Sequence, residues 1–346
     1  MAEKKEFNLS NKPFIIAEMS GNHNQSIERA FEIIDAAAET GVDAVKLQTY
    51  TASTITMKGA YTIHDKNSLW DGKELFDLYS QAYTPWEWHK QLFDHAAKKG
   101  LMCFSSPFDE TAVDFLETLN CPIYKIASFE NTHFPLLKRV AKTGKPVIMS
   151  TGASTIEEIT ESVNYLFENG CKNLTILKCT STYPATPENT NLLTIPYFIE
   201  KFPQCSVGLS DHTMGIGVSV AAVALGAKVI EKHFTLRRAD GGVDSAFSME
   251  PEEMKQLVTE ATSISQALGH VQLQPTAKEE NSRLFKRSIF VQAEIKKGEV
   301  FTKENLKVIR PSTGLAPKHW ESILGKKALT NIAAGSPLTW EHVEKN

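Results

Sequence analysis

The stretch from Phe14 to Thr49, FIIAEMSGNHNQSIERAFEIIDAAAETGVDAVKLQT, decides the fold class. It opens on a β-rich run, Phe14 to Glu18, and closes on another, Asp43 to Thr49. Between them Ile27, Ala30, Phe31, Ile34, Ala37 and Ala38 follow the i, i+3, i+4, i+7 spacing of one helix face. Ser26 before this stripe is a good N-cap, since its hydroxyl accepts from an orphan backbone N–H, and Gly41 after it suits a left-handed C-cap. Strand, helix and strand in that order make one unit of a parallel α/β sheet.

The alternation continues down the chain. Further strand candidates are Leu101 to Ser105, Ile123 to Ala127, Pro146 to Ser150, Leu174 to Cys179, Ser206 to Leu209 and Lys228 to His233, with helical patterns between most of them and a closing one from Pro251 to Leu268. Eight units of this size predict a (β/α)8 TIM barrel over residues 1–270; a doubly wound open sheet is the alternative. Two long interruptions, Ala52 to Thr84 and Thr180 to Pro196, follow strand C-termini, the face where barrels do chemistry, and so read as loops that shape a substrate.

Gly269 to Glu280 is polar and strand-poor, which places a linker at 271–285 and a small domain at 286–346. That tail carries an internal echo. Ile295-Lys296-Lys297-Gly298 with Phe301-Thr302 returns 37 residues later as Ile332-Ala333-Ala334-Gly335 with Leu338-Thr339. The repeat predicts a pseudo-symmetric, mostly irregular and β unit with little room for a core of its own.

Composition excludes several function classes. With 37 basic and 41 acidic residues the net charge is −4, so there is no global positive field for nucleic acid or an anionic membrane. The longest near-apolar stretch, Val218 to Ala227, is far short of the ~20 residues of a spanning helix. Met1 to Glu6 is charged with no apolar run behind it, neither signal peptide nor lipidation signal, and cytoplasm is the expected compartment. Five cysteines, an odd number without a C-x-x-C pair, read as reduced core residues.

The polar residues at the strand ends carry the chemistry. They are Glu18; Lys46 and Gln48; Ser105 and Ser106; Lys125, Ser128 and Glu130; Ser150 to Gly152; Thr180 to Tyr183; Ser210, Asp211 and His212; Glu231 and His233. Lysines among Val, Ile and Leu cost several kcal/mol to bury unpaired, so Lys46 and Lys125 either snorkel outward between helices or converge on an anion. Ser128 and Ser150 suit helix capping and phosphate binding alike. His212 and His233, at adjacent strand ends, are placed to share one ion, and Glu231 reads as an ion-pair partner for a lysine. No P-loop, H-E-x-x-H, G-x-S-x-G or complete dinucleotide fingerprint occurs, so ATP- and NAD-dependent chemistry lose support.

Several ordered motifs resemble the sialic acid synthase family: Phe14 to Glu18, Asn22-His23-Asn24, Val45 to Tyr50, Ser105 to Phe108, Tyr124 to Ser128, Ser150-Thr151-Gly152, Gly208 to His212 and Glu231 to Phe234. The tail, with Gly325-Lys326-Lys327-Ala328 and Ile332 to Gly335, resembles that family's antifreeze-like (SAF) domain. Within the family the chain is most similar to the pseudaminic acid synthase branch, on Leu69-Trp70-Asp71, Thr84 to His89, Ala127 to Glu130 and Cys179 to Pro184, and on Ser181 where N-acetylneuraminate synthases usually carry Asn. An N-acetylneuraminate or legionaminic acid synthase is the alternative.

The resemblance implies condensation of phosphoenolpyruvate with an open-chain amino sugar aldehyde, giving a nine-carbon 2-keto sugar acid and phosphate. It implies a divalent metal, Mn2+ or else Mg2+ or Co2+, on His212 and His233. Lys125, Ser128, Ser150 and Ser210 would hold phosphoenolpyruvate. Glu18, Gln48, Ser106, Phe108, Ser181, Tyr183 and Asp244 would line the sugar side, and Lys46, Lys125, Glu130 and Glu18 are the catalytic candidates. Arg310 would reach the sugar in the neighbouring subunit of a domain-swapped homodimer. The rival readings are a metal-free Schiff-base aldolase with Lys125 as its amine, and a non-catalytic sugar-binding protein.

Overall fold

The computed structural model describes residues 7–9, 12–66 and 69–345, so the reading of Met1 to Glu6 falls outside the described residues. The chain divides into two compact units, Met1–Gly269 and His270–Asn346.

In the first unit β1 (Phe14–Glu18), β2 (Ala44–Thr49), β3 (Met102–Pro107), β4 (Tyr124–Ile126), β5 (Val147–Ser150), β6 (Leu174–Cys179), β7 (Ser206–Asp211) and β8 (Val229–His233) form a closed barrel in chain order. All neighbours are parallel, and β1 pairs with both β2 and β8: Ile16 stands opposite Ala44 on one side and Glu231 on the other. Closure removes the open-sheet alternative. The expected strands are met within a residue or two. β3 runs on to Pro107 because Gln48 and Thr49 of β2 pair with Ser106 and Pro107, and β7 runs on to Asp211, paired with Lys232 of β8.

α1 (Ile27–Thr40) has the expected caps: Ser26 Oγ accepts from the Arg29 N–H at 3.2 Å, and Gly41 sits at φ 85°. Its buried face is shifted from the expected stripe. Ile33 is fully buried, whereas Ile27, Phe31 and Ala38 are half-buried, because the helix packs against neighbouring helices as well as the strands. The long insert after β2 folds into α2 (Ala52–Ile55), a bridge between Thr62 and Glu74, and α3 (Leu75–Ala82), and is followed by α4 (Trp86–Lys98). The helix Pro251–Leu268 ends the unit and buries Met254, Leu257 and Ala261. No described helix is long and apolar enough to cross a membrane. All five cysteines are free, four of them buried.

The second unit holds the antiparallel pair β9 (Ser288–Val291) and β10 (Leu306–Ile309). It corrects one expectation, since it has a core of its own that includes Ile289, Val291, Ile295, Phe301, Leu306, Ile332 and Leu338. The repeat explains how so short a segment manages this. Ile295 and Ile332 exchange backbone hydrogen bonds of 2.9 and 2.8 Å, and the Gly298 N–H donates to Ala328 O as Gly335 N–H does to Val291 O, both at 2.8 Å. Each half is too small to bury an apolar face alone; paired about a pseudo-twofold, the two halves bury each other's.

Candidate active site at the C-terminal end of the barrel

Strand alternation sorts the charged residues into two sets. On β8, Glu231 and His233 face the barrel interior and Lys232 faces the other way, donating to Asp211 at 2.9 Å and to the carbonyls of Thr213 and Gly215 at 2.6 and 3.1 Å. This buried outer pair braces the segment that carries His212, with Asp211 and Lys232 each one residue from a site histidine.

Inside, both lysines are buried and paired, so the outward-snorkelling alternative is not realised. Lys46 forms an ion pair with Glu18, lies 3.7 Å from Glu231 Oε2 and donates to Ser106 Oγ at 3.3 Å. Lys125 donates to Ser150 Oγ at 2.6 Å and to the Ile126 carbonyl at 3.1 Å, 3.6 Å from Glu231 Oε1. Glu231 therefore bridges the lysines, the role read for it from sequence. Burial works against its charge, yet Lys125 and Lys46 hold it below the usual carboxylate range. Burial lowers Lys125, with Glu231 opposing. Burial also drives Glu18 up to about 7 against the pull of Lys46.

Ser128, Ser150 and Ser181 gather around Gly152 and Lys125. The Gly152 N–H points at Ser128 Oγ, 3.2 Å away. A Cβ at position 152 would collide with Ser181 Oγ and stand 2.8 Å from Ser128 Oγ, so glycine keeps this polar nest open. Ser210 donates to Glu231 Oε1 at 3.1 Å. Hydroxyls, a backbone N–H and one buried ammonium suit an anion with several oxygens.

The rings of His212 and His233 are 5.3 Å apart, with Tyr183 4.5 Å from the first and Phe247 4.9 Å from the second. His212 Nδ1 lies 2.9 Å from the Thr180 carbonyl; burial works against its charge, but Cys179 and this carbonyl raise it overall, and in its neutral form the donor at Nδ1 leaves Nε2 an acceptor. His233 Nδ1 is buried without a hydrogen-bond partner, and burial and His212 hold this ring well below the ordinary histidine value, neutral. These two nitrogen donors fit one divalent ion completed by non-protein ligands; no grouping of three or more metal-binding side chains occurs among the described residues.

A cavity of about 570 Å3 opens over these groups, lined by Gln48, Phe108, Ser128, Glu130, Tyr183, His233 and Asp244 together with the insert after β2. Gln48 Nε2 donates to Glu18 Oε1 and to Ser20 Oγ, which in turn bonds Asp244. Trp70 lines the cavity as well. Trp86 and Trp88, within the Thr84 to His89 stretch that marks the resemblance, belong to α4, pack against Phe115 and His23, and line no part of this cavity. Arg310 is exposed in the second unit, one residue past β10. Sequence reasoning missed Ser20 and Cys179, and it placed Gly152 at a strand end without the reason that only a residue lacking Cβ fits there. Cys179 was taken for core, yet although burial raises its thiol, His212 brings it down to about 6.

Glu130 gives a test of this electrostatic picture. Its Oε2 is buried without a hydrogen bond, and burial pushes the carboxyl to about 7, with Lys125 opposing. A raised folded-state value favours the protonated form, so the favourable contribution is full below about 4.5 and is lost as pH rises through about 7. Glu130→Gln is expected to stabilise the protein at pH 8 relative to pH 5, by up to about 3 kcal/mol. Calorimetric Tm values at the two pH values check this, and a wild-type-to-variant gap independent of pH contradicts it.

Comparison with known proteins supplies the family. The NeuB family model matches residues 33–273 and the SAF domain model matches residues 286–344. The chain is 45% identical to the pseudaminic acid synthase of Campylobacter jejuni subsp. jejuni serotype O:2, over 96% of this chain and 97% of that protein. It is 42% identical to the pseudaminic acid synthase of Helicobacter pylori, over 96% and 98%. Among solved structures, the N-acetylneuraminic acid synthetase of Leptospira borgpetersenii, crystallised with citrate, superposes with a TM-score of 0.72 at 32% identity, covering 81% of this chain and 95% of that one. A family model spanning most of the barrel, near-full-length relatives and a shared barrel fold agree: the chain belongs to the NeuB family and carries a SAF domain C-terminal to its barrel in sequence.

Proposed function

We propose that this protein is a cytoplasmic enzyme that condenses phosphoenolpyruvate with 2,4-diacetamido-2,4,6-trideoxy-L-altrose, releasing pseudaminic acid and phosphate. The observation that carries the reading is the meeting of the Lys125 and serine nest with the two histidines beneath one cavity, which Ser128 and His233 line. Two relatives of similar length bearing the name pseudaminic acid synthase support the choice of sugar.

In this reading Lys125, Ser128, Ser150 and Ser210 hold the phosphate and carboxylate of phosphoenolpyruvate, and Glu231 keeps the lysines in place. Carbon 3 of the enol attacks the sugar aldehyde, water adds at carbon 2, and phosphate leaves. The chemistry a divalent ion supplies when held by His212 and His233, Mn2+ or else Mg2+ or Co2+, is polarisation of the aldehyde oxygen. The reaction delivers one proton to the aldehyde oxygen and removes one from water. Glu18 and Glu130, both near 7, titrate where one group can give and take a proton, with Lys46 paired to the first. Gln48, Ser106, Phe108, Ser181, Tyr183 and Asp244 face the sugar.

Substrate choice is tested by kcat/KM for the trideoxy sugar against N-acetylmannosamine. A preference of at least about tenfold for the former is expected. The reverse preference overturns the choice of sugar and leaves phosphoenolpyruvate chemistry standing.

The working unit in this reading is a domain-swapped homodimer in which Arg310 serves the neighbouring subunit's sugar, its guanidinium offering a fixed fork of donors. Mixed dimers of His212→Ala and Arg310→Ala chains test the sharing. A shared site leaves one of the two sites free of both defects, so activity reappears on mixing. Confirmed heterodimers that regain nothing place the arginine in its own chain's site.

A further inference from the structure

The insert after β2 supplies most of the aliphatic lining of the large cavity. The strand ends and the loops just beyond them contribute mainly polar and aromatic groups, among them Gln48, Ser128, Glu130, His233, Phe108 and Phe129. The insert between β2 and α4 contributes Ile55, Ile63, Leu75, Leu78 and Ala82, with only Asp65, Trp70 and Tyr79 adding polar atoms from that segment. Leu78 and Ala82 are nearly buried by their own packing, but Ile55, Ile63 and Leu75 are half-buried and turn part of their surface to the cavity. A sugar bearing hydroxyls on every carbon would press unpaired polar groups against this wall; methyl groups would cover it without loss.

The arrangement also fixes which end of the sugar meets the wall. The aldehyde carbon has to lie beside the serine nest and the histidines at the strand ends. The far end of the open chain then extends outward, and the insert stands above the strand ends. Of the sugar proposed above, that end carries the C6 methyl and the 4-acetamido methyl, whereas N-acetylmannosamine carries hydroxyls at both positions.

We infer that Ile63 and Leu75, with Ile55 beside them, form the subsite for the C6 methyl and 4-acetamido methyl of the acceptor and determine the preference for a 6-deoxy sugar. The inference rests on the substrate reading above.

The test compares wild type with Ile63→Thr, Leu75→Asn and the double variant. It measures kcat/KM for the trideoxy sugar and for its 6-hydroxy counterpart, and KM for phosphoenolpyruvate. One apolar group in a fitted pocket discriminates by about tenfold to two-hundredfold, so each polar substitution is expected to cut the deoxy-to-hydroxy ratio about tenfold and the double variant more. KM for phosphoenolpyruvate should stay within about twofold, which a general collapse of the site would not allow. Ile63→Val and Leu75→Val keep the wall apolar but shrink it, and are expected to lower kcat/KM for the trideoxy sugar while largely keeping the ratio. Should the polar variants fail to fold, a ratio and a kcat/KM both unchanged in the valine variants overturn the subsite. Wild type that prefers N-acetylmannosamine overturns the substrate reading and this inference together. Wild type that prefers the trideoxy sugar, with an unchanged ratio in the polar variants, overturns the subsite alone.

Discussion

Replacing His212 or His233 with alanine is expected to lower kcat by about a thousandfold or more while the barrel stays folded. Each substitution removes one of the two imidazole donors proposed to hold the ion beneath the cavity, and an electrophile of this kind would contribute at least as much as an oxyanion-hole donor, about a hundredfold to a thousandfold. The fold should tolerate the loss. His233 Nδ1 has no hydrogen bond to lose, and His212 gives up its contacts to the Thr180 carbonyl and to Cys179 without touching the barrel's backbone pairing. Calorimetric titration of the metal-stripped protein with Mn2+ provides a readout apart from turnover, and either variant should bind at least about tenfold more weakly than wild type. Full turnover by the double variant after metal stripping contradicts the assignment.

Lys125→Met is the second large effect. The substitution keeps the volume of the side chain and removes the cation that donates to Ser150 and stands 3.6 Å from Glu231. The expected fall in kcat/KM for phosphoenolpyruvate is about a hundredfold to a thousandfold. Part of any change will be structural, because Glu231 keeps only Lys46 as counter-charge, and a buried pair broken on one side costs about 3–5 kcal/mol. Lys125→Met combined with Glu231→Leu separates the two contributions. The double variant should recover most of the lost stability and none of the activity. Recovery of activity along with stability would reduce Lys125 to a structural ion-pair partner.

The barrel was legible because alternation is a short-range property. Phe14 to Glu18 and Asp43 to Thr49 announce strands wherever they pack, and Ser26 and Gly41 bracket a helix without tertiary help. The site was legible for the same reason, since polar residues such as Lys46 and Glu231 inside apolar strands have to find partners, and closure of the barrel brings those partners together. Three-dimensional accidents were not legible. Nothing near Gly152 says that a Cβ would meet Ser181, which belongs to a different strand-end loop. Cys179 reads as core until His212 is seen beside it. Trp86 and Trp88 attract attention as tryptophans, yet their neighbours Phe115 and His23 on other segments turn them away from the cavity. The core of the second unit was hidden because the echo showed a repeat but not that its halves face each other.

The most direct test of the central claim is release of inorganic phosphate from phosphoenolpyruvate by the full-length protein, with a panel of amino sugars, with and without a chelator. The account predicts that phosphate appears only when an acceptor sugar is present, in step with consumption of that sugar, that chelation stops it, and that Mn2+ restores it. Phosphate release that depends on the sugar but is indifferent to the chelator would contradict the metal assignment and leave the phosphoenolpyruvate condensation standing, whereas an amine-based aldolase on Lys125 would release no phosphate from phosphoenolpyruvate. Sugar binding with no phosphate released from phosphoenolpyruvate under any condition would contradict the account as a whole.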